Sequence, residues 1–261
     1  MDNFGLVIGG GGAKGICGIG ILEVLEWNNI KPDYIVGTSI GSLLGSIIAY
    51  GYDTDYMKEI FEEHIGRKFF KLLDLNIISK SLFKGKKIEE KFEQFYMKAK
   101  IEELPTKFEC VATDMKDGKE FIFNSGSLTK AVRASISLPG IFEPVKKGNR
   151  YLMDGGVSNP VPLSCAINHG YKKIVAINFL NRLEEYHNDI INSVSASAIH
   201  FQRNLFKYQL KEARKHADIF LIEPDTKGTR ILDFFNVDED IKIGREFMEN
   251  KIPELKKFLN C

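Results

Sequence analysis

The 261-residue sequence has little that would take it outside the ordinary globular class. It holds four cysteines, Cys17, Cys110, Cys165 and Cys261, far apart and without a CxxC pair. The apolar setting of Cys17 and Cys165 predicts buried, reduced thiols. No stretch reaches the roughly 20 apolar residues that a bilayer-spanning helix needs. Glycines interrupt the first apolar run before it attains the length of a signal-peptide core, so the expected location is cytoplasmic, at most peripheral to a membrane. An excess of charge of one sign is missing too. There are 36 Lys and Arg against 35 Asp and Glu, a net charge of +1, and nothing in that balance points to nucleic acid. Internal repeats and low-complexity linkers are absent. One domain over 1–261 is the economical reading, long enough to bury a core without staples.

What is there is a concentration of glycine in the opening stretch FGLVIGGGGAKGICGIG. Phe4–Ile8 predicts a buried strand, and about 13–29 a helix with Ile16, Ile19, Gly20, Leu22 and Val24 on its packing face. Pro32 precedes a second strand, Tyr34–Val36, which runs into GTSIGS; Ile40–Tyr50 predicts a second helix ended by Gly51. Strand–helix–strand–helix with short turns predicts an α/β fold, a parallel sheet with helices on its faces.

Further helices are expected from Asp53 or Thr54 to Ile65, over Lys86–Lys100, and in LTKAVRASISLPG up to Pro139. FECVATD and EFIFN predict strands about an Asp117-Gly118 turn, and YLMDGG, KIVAINF and ADIFLIEP three more. Two late helices cover 188–213 and 238–259, the second broken near Pro253. Residues 66–100 are a candidate lid or cap insertion. Within 66–87, Lys and Arg interleave with Phe and Leu, as an edge in transient contact with a membrane surface would require.

Gly10-Gly11-Gly12-Ala13-Lys14-Gly15 satisfies the G-x-G-x-x-G pattern of dinucleotide sites. That reading also needs an acidic residue at the end of the second strand, which instead ends Val36-Gly37-Thr38-Ser39. A phosphate-binding P-loop needs Ser or Thr after the lysine, and Lys14 is followed by Gly15. Gly37-Thr38-Ser39-Ile40-Gly41 is G-x-S-x-G at a strand-to-helix junction, the context of a nucleophile elbow. The alternative for Ser39 is a helix N-cap with incidental glycines. The glycine loop emerges from the neighbouring strand, so its backbone N–H groups and a helix N-terminus are expected to face Ser39 Oγ. Donors there would stabilise the oxygen of a tetrahedral intermediate.

A nucleophilic serine needs a base. The histidines, His64, His169, His187, His200 and His216, sit in polar helical or loop settings that predict surface or capping roles. Two aspartates lie at strand ends. Asp114 precedes the Asp117-Gly118 turn and reads as a turn residue. Asp154, followed by Gly155 and Gly156, is placed to accept the serine proton directly.

GGGGAKG, GTSIGS and DGG, in this order and context, resemble the patatin-like phospholipases, serine hydrolases with a Ser–Asp dyad. VATDMKDGKEFIF, AVRASISLPGIFEPV and YLMDGGVSNPVP are similar to the blocks between those motifs, and the resemblance covers 4 to about 178. It implies a three-layer α/β sandwich related to the α/β hydrolases. It also implies Ser39 as nucleophile, Asp154 as general base and Gly10, Gly11 and Gly12 as the oxyanion hole, with Lys14, Gly15, Gly37, Gly41, Gly155 and Gly156 supporting the motifs. Gly18 departs from the pattern, since many members carry His or Tyr there. The substrate implied is an acyl ester of a glycerolipid, hydrolysed without metal or other cofactor. A dinucleotide-dependent oxidoreductase and a catalytically silent lipid-binding module are the competing readings.

Overall fold

The computed structural model describes residues 1–62, 86–181, 190–226, 229–231 and 233–261. In chain order the elements are β1 (Gly5–Ile8), α1 (Cys17–Trp27), β2 (Tyr34–Thr38), α2 (Ile40–Tyr50), α3 (Thr54–Ile60), α4 (Lys86–Tyr96), β3 (Lys107–Asp114), β4 (Glu120–Phe123), α5 (Leu128–Ser135), β5 (Val145–Lys147), β6 (Arg150–Asp154), α6 (Leu163–Asn168), β7 (Lys173–Ile177), α7 (Ile190–Ala213), β8 (Asp218–Ile222) and α8 (Val237–Leu259).

The strands form one sheet in the order β5-β6-β3-β2-β1-β7-β8, with β4 also paired to β3. β3, β2, β1, β7 and β8 run parallel, while β4 and β6 pair antiparallel to β3 and β5 antiparallel to β6. Every residue of β1 and β2 is buried, as expected of central strands covered on both faces. Alternation along β1 divides the interior in two. Leu6 and Ile8 join the core under α1, α2, α5 and α8, whereas Val7 joins the one under α6 and α7. The result is the expected three-layer α/β sandwich with a mostly parallel sheet. On the first face, α1 and α8 pack closely: a Cβ at Gly20 would strike the Ile241 carbonyl, and one at Gly244 the Cys17 carbonyl.

Several boundaries differ from the sequence reading. The helix expected from Ala13 begins instead as a 3-10 turn, Gly12–Ile16, and becomes α-helical only at Cys17. Glycines at both Gly12 and Gly15 remove the side chains that favour regular helix. α4 stops at Tyr96 because Met97 and Lys98 adopt φ of 43° and 64°. Pro253 does not break the last helix, which is continuous over Val237–Leu259. The carbonyl that Pro253 leaves without a helical partner belongs to solvent-exposed Glu249, and buried Met248, Leu255 and Leu259 hold both sides of the proline to the core.

Of the candidate lid, Lys86–Tyr96 forms α4, with Phe92, Phe95 and Tyr96 buried in the core; the rest of its 66–87 stretch, before Lys86, lies outside the described residues. Cys17, Cys110 and Cys165 are buried free thiols, and Cys261 is an exposed one. Among the described residues no helix is long and apolar enough to cross a membrane.

Candidate active site

β2 carries the chain to the carboxyl edge of the sheet, beside the glycine loop that follows β1. There Ser39 adopts φ 55° and ψ −126°, a left-handed conformation for a residue with a side chain. Such a residue costs on the order of 1–3 kcal/mol, which the surrounding fold must hold in place. The turn into α2 is tight enough that a Cβ at Gly37 would overlap the Gly41 carbonyl, and one at Gly41 the Ile8 carbonyl. Ser39 stands at the N-cap of α2, yet its hydroxyl makes no capping bond. It donates instead to Asp154 Oδ2 over 2.6 Å. The N-cap alternative for Ser39 is therefore set aside by geometry.

Asp154 ends β6, two strands away from β2, and opens a 3-10 turn, Gly155–Val157. Its Oδ1 accepts the Gly156 N–H at 2.7 Å, leaving Oδ2 to Ser39. Ser39 and Asp154 are 6% and 2% exposed. Burial raises the Asp154 carboxyl to about 6, against the opposing pull of the bonds from Ser39 and Gly156. The group is thus a stronger base than an ordinary aspartate, and still ionised at neutral pH.

Asp114 behaves as a turn residue. It accepts the Lys116 N–H at 3.0 Å and pairs with Arg150 at 2.6 Å, and these bonds hold its carboxyl below the usual range. His169 follows α6 at the opposite end of the sheet, where Nε2 meets Glu109 at 2.8 Å and Nδ1 meets Lys107 at 2.9 Å. His200 and His216 are exposed on or just past α7, while His64 and His187 lie outside the described residues. No described histidine contacts the dyad.

The glycine loop needs a correction. The Gly10 N–H, expected to be an oxyanion donor, already donates to the Pro160 carbonyl at 2.8 Å. The Ala13 N–H is likewise taken by Ile231. Between them, Gly11 and Gly12 make no backbone hydrogen bond through N–H among the described residues. A Cβ at Gly10 would sit 3.4 Å from Ser39 Cβ, so the loop lies directly against Ser39. The glycines also serve packing: a Cβ at Gly11 would come within 2.7 Å of Phe179 Cβ, and one at Gly12 or Gly15 would strike the Ile231 carbonyl or Ile40. At Gly18, Leu44 and Phe179 fill the space, 2.7 and 2.8 Å from where a Cβ would be. Lys14 is buried in the 3-10 turn, its carbonyl accepting the Cys17 thiol. Among the described residues no group of three acidic, His or Cys side chains could hold a metal.

Sequence reading missed the contribution of the end of α5. Ser135 Oγ accepts the Ser39 N–H at 2.9 Å, and the Ser137 carbonyl accepts the Asp154 N–H at 2.9 Å. The only signal was the SISLP run, whose serines carry no periodicity that distinguishes them from an ordinary helix end. Gln202 on α7 was missed as well; its amide Nε2 would lie 2.9 Å from a Cβ at Gly156.

The chain is similar to known proteins in both sequence and fold. The family model for patatin-like phospholipase matches residues 6–167. An uncharacterized NTE family protein of Mycobacterium tuberculosis is 35% identical over 170 residues, covering 64% of this chain and 29% of that protein. Lysophospholipase NTE1 of Debaryomyces hansenii is 26% identical over 274 residues, covering 95% of this chain and 18% of its own length. The chain thus spans less than a third of either relative. In fold it is similar to VipD from Legionella pneumophila, with a TM-score of 0.62 at 14% identity over 97% of this chain and 67% of that one. ExoU of Pseudomonas aeruginosa, solved with SpcU, gives 0.53 at 14% identity over 99% of this chain and 53% of that one. The matched segment runs from β1 through α6 and so contains the glycine loop, the Ser39 elbow and the Asp154 turn: the chain belongs to the patatin-like phospholipase family.

Proposed function

We propose that the chain is a serine acyl hydrolase that cleaves carboxylic esters of glycerolipids through an acyl-enzyme on Ser39. The observation that carries this reading is the 2.6 Å bond from a strained, nearly buried serine hydroxyl to a carboxylate of raised basicity. Asp154 Oδ2 takes the proton as Ser39 Oγ attacks the ester carbonyl. The oxygen that becomes negative is met by the N–H groups of Gly11 and Gly12 and by the positive end of α2. Asp154 then gives that proton to the departing alcohol oxygen as the ester C–O bond breaks, which restores its carboxylate. In deacylation it takes a proton from the attacking water and returns it to Ser39 Oγ as the acyl–serine bond breaks and the acid leaves. The name lysophospholipase carried by the Debaryomyces hansenii relative is the reason to try glycerophospholipid esters first.

A fluorophosphonate probe tests the reading. Wild-type protein is expected to be labelled at Ser39 and to hydrolyse a soluble ester, and Ser39→Ala to do neither. Equal turnover in the two proteins would remove the proposal. An unlabelled wild type would favour the silent lipid-binding module.

A further inference from the structure

We propose that the three residues Ser135–Ser137, at the end of α5, are a clamp that fixes the distance between Ser39 and Asp154, with Ser135 as its positioning residue. The proposal rests on the dyad reading above and adds a group that does not touch substrate.

The two dyad residues are 115 positions apart in the chain. They leave strands that are not neighbours, because β3 runs between β2 and β6. Pairing within the sheet therefore does not by itself hold Ser39 against Asp154. The end of α5 reaches all three strands. Ser135 Oγ accepts the Ser39 N–H at 2.9 Å and donates its own proton to the Val111 carbonyl of β3 at 2.6 Å. Two residues on, the Ser137 carbonyl accepts the Asp154 N–H at 2.9 Å. One short piece of backbone thus binds the nucleophile at one end and the base at the other. Ser137 is fixed in turn by Arg133, whose Nη1 donates to its hydroxyl at 2.5 Å while that hydroxyl donates to the Arg133 carbonyl at 2.7 Å. Ser135 and Ser137 are both fully buried, so water does not replace either bond.

The chemistry of position 135 is restrictive. The site asks for one acceptor and one donor on a single small group, and a hydroxyl on a one-carbon stem supplies both. Ser39 needs that acceptor because, at the N-cap of α2, its N–H has no preceding helical carbonyl to donate to. Without it, the elbow loses the bond that opposes relaxation of its strained backbone. The hydroxyl of Ser39 then moves relative to Asp154 Oδ2, and a displacement of about 1 Å is enough to cost roughly 100-fold in rate.

Ser135→Ala tests the clamp, with Ser46→Ala as its control. Ser46 is also fully buried on hydroxyl bonds, to Leu43 O and Tyr96, and it lies on α2 away from the dyad. Both variants lose a buried hydroxyl and are expected to lose similar thermal stability. Ser135→Ala is expected to lower kcat on a soluble ester roughly 100-fold with KM nearly unchanged, and to slow fluorophosphonate labelling in parallel. Its acid limb in kcat/KM moves to higher pH, because the Ser39 bond that lowers the Asp154 pKa is weakened. Ser46→Ala keeps wild-type kcat and the wild-type pH profile. Amide hydrogen exchange at Ser39 is a readout independent of activity: it accelerates in Ser135→Ala and not in Ser46→Ala. Wild-type kcat in Ser135→Ala, equal losses of kcat in the two variants, or an Ser39 amide still protected in Ser135→Ala would each overturn the clamp. A wild type that neither labels nor turns over overturns the hydrolase reading instead, and the exchange measurement still decides the clamp.

Discussion

Ser39 Oγ donates to Asp154 Oδ2 at the carboxyl edge of the sheet, while His169 is tied to Glu109 and Lys107 at the opposite end. Under the proposed function, this separation gives the two groups different expected effects on activity. Asp154→Asn is expected to lose about a thousandfold or more in kcat/KM, from the missing base and a misdirected serine. His169→Ala is expected to keep full activity and to lose about 1–3 kcal/mol of stability, because buried Glu109 forfeits a partner. Steady-state kinetics and urea unfolding of both variants check this; an inactive His169→Ala beside an active Asp154→Asn would sink the dyad.

The raised Asp154 pKa predicts two pH effects of defined sign. Activity on a soluble ester rises through about pH 6, where the base ionises. Stability runs the other way. The folded-state value, about 6, lies above the ordinary 3.8, so the protonated carboxyl's contribution is complete below 3.8 and is lost as pH rises through about 6. The full effect is on the order of 3 kcal/mol. Asp154→Asn has no proton to lose, so it is expected to be more stable than wild type at pH 8, with that advantage shrinking towards pH 4. Urea midpoints at the two pH values measure it, and a difference that does not change with pH contradicts the assigned cause.

Gly11 follows Gly10, which lies against Ser39, and among the described residues its N–H makes no backbone hydrogen bond. A side chain there meets Phe179 at 2.7 Å and turns the peptide. Gly11→Ala is expected to reduce kcat by roughly 100-fold or more, the usual effect of losing one oxyanion donor, with a smaller change in KM. An unchanged kcat in a folded Gly11→Ala protein counts against a donor role.

Lys84, Lys86 and Lys87 belong to the basic and aromatic stretch expected to meet a lipid surface; Lys84 lies outside the described residues. Replacing the three by Glu is expected to weaken binding to anionic vesicles and to slow hydrolysis there, with little change on a short soluble ester. Co-sedimentation and parallel assays separate the two, and equal effects on both substrates would reduce the stretch to scaffold.

The elements that the sequence determined by itself are those with local causes. Short continuous apolar runs and flanking glycines mark β1, β2 and the elbow because apolar runs and steric room are properties of neighbouring residues. Gly37 and Gly41 announce a sharp turn wherever they fold, and Asp154 before two glycines announces a strand end. Tertiary structure decided everything that depends on a partner far along the chain. It spent the Gly10 N–H on Pro160 and took the Ser39 hydroxyl away from α2 to give it to Asp154. It carried α8 through Pro253 on the strength of core contacts on both sides. It gave the Ser39 N–H to Ser135, a residue without any local mark of that role. The basicity of Asp154 is of the same kind. It arises from burial between elements that the chain brings together only on folding, and desolvation has no signature in the order of residues.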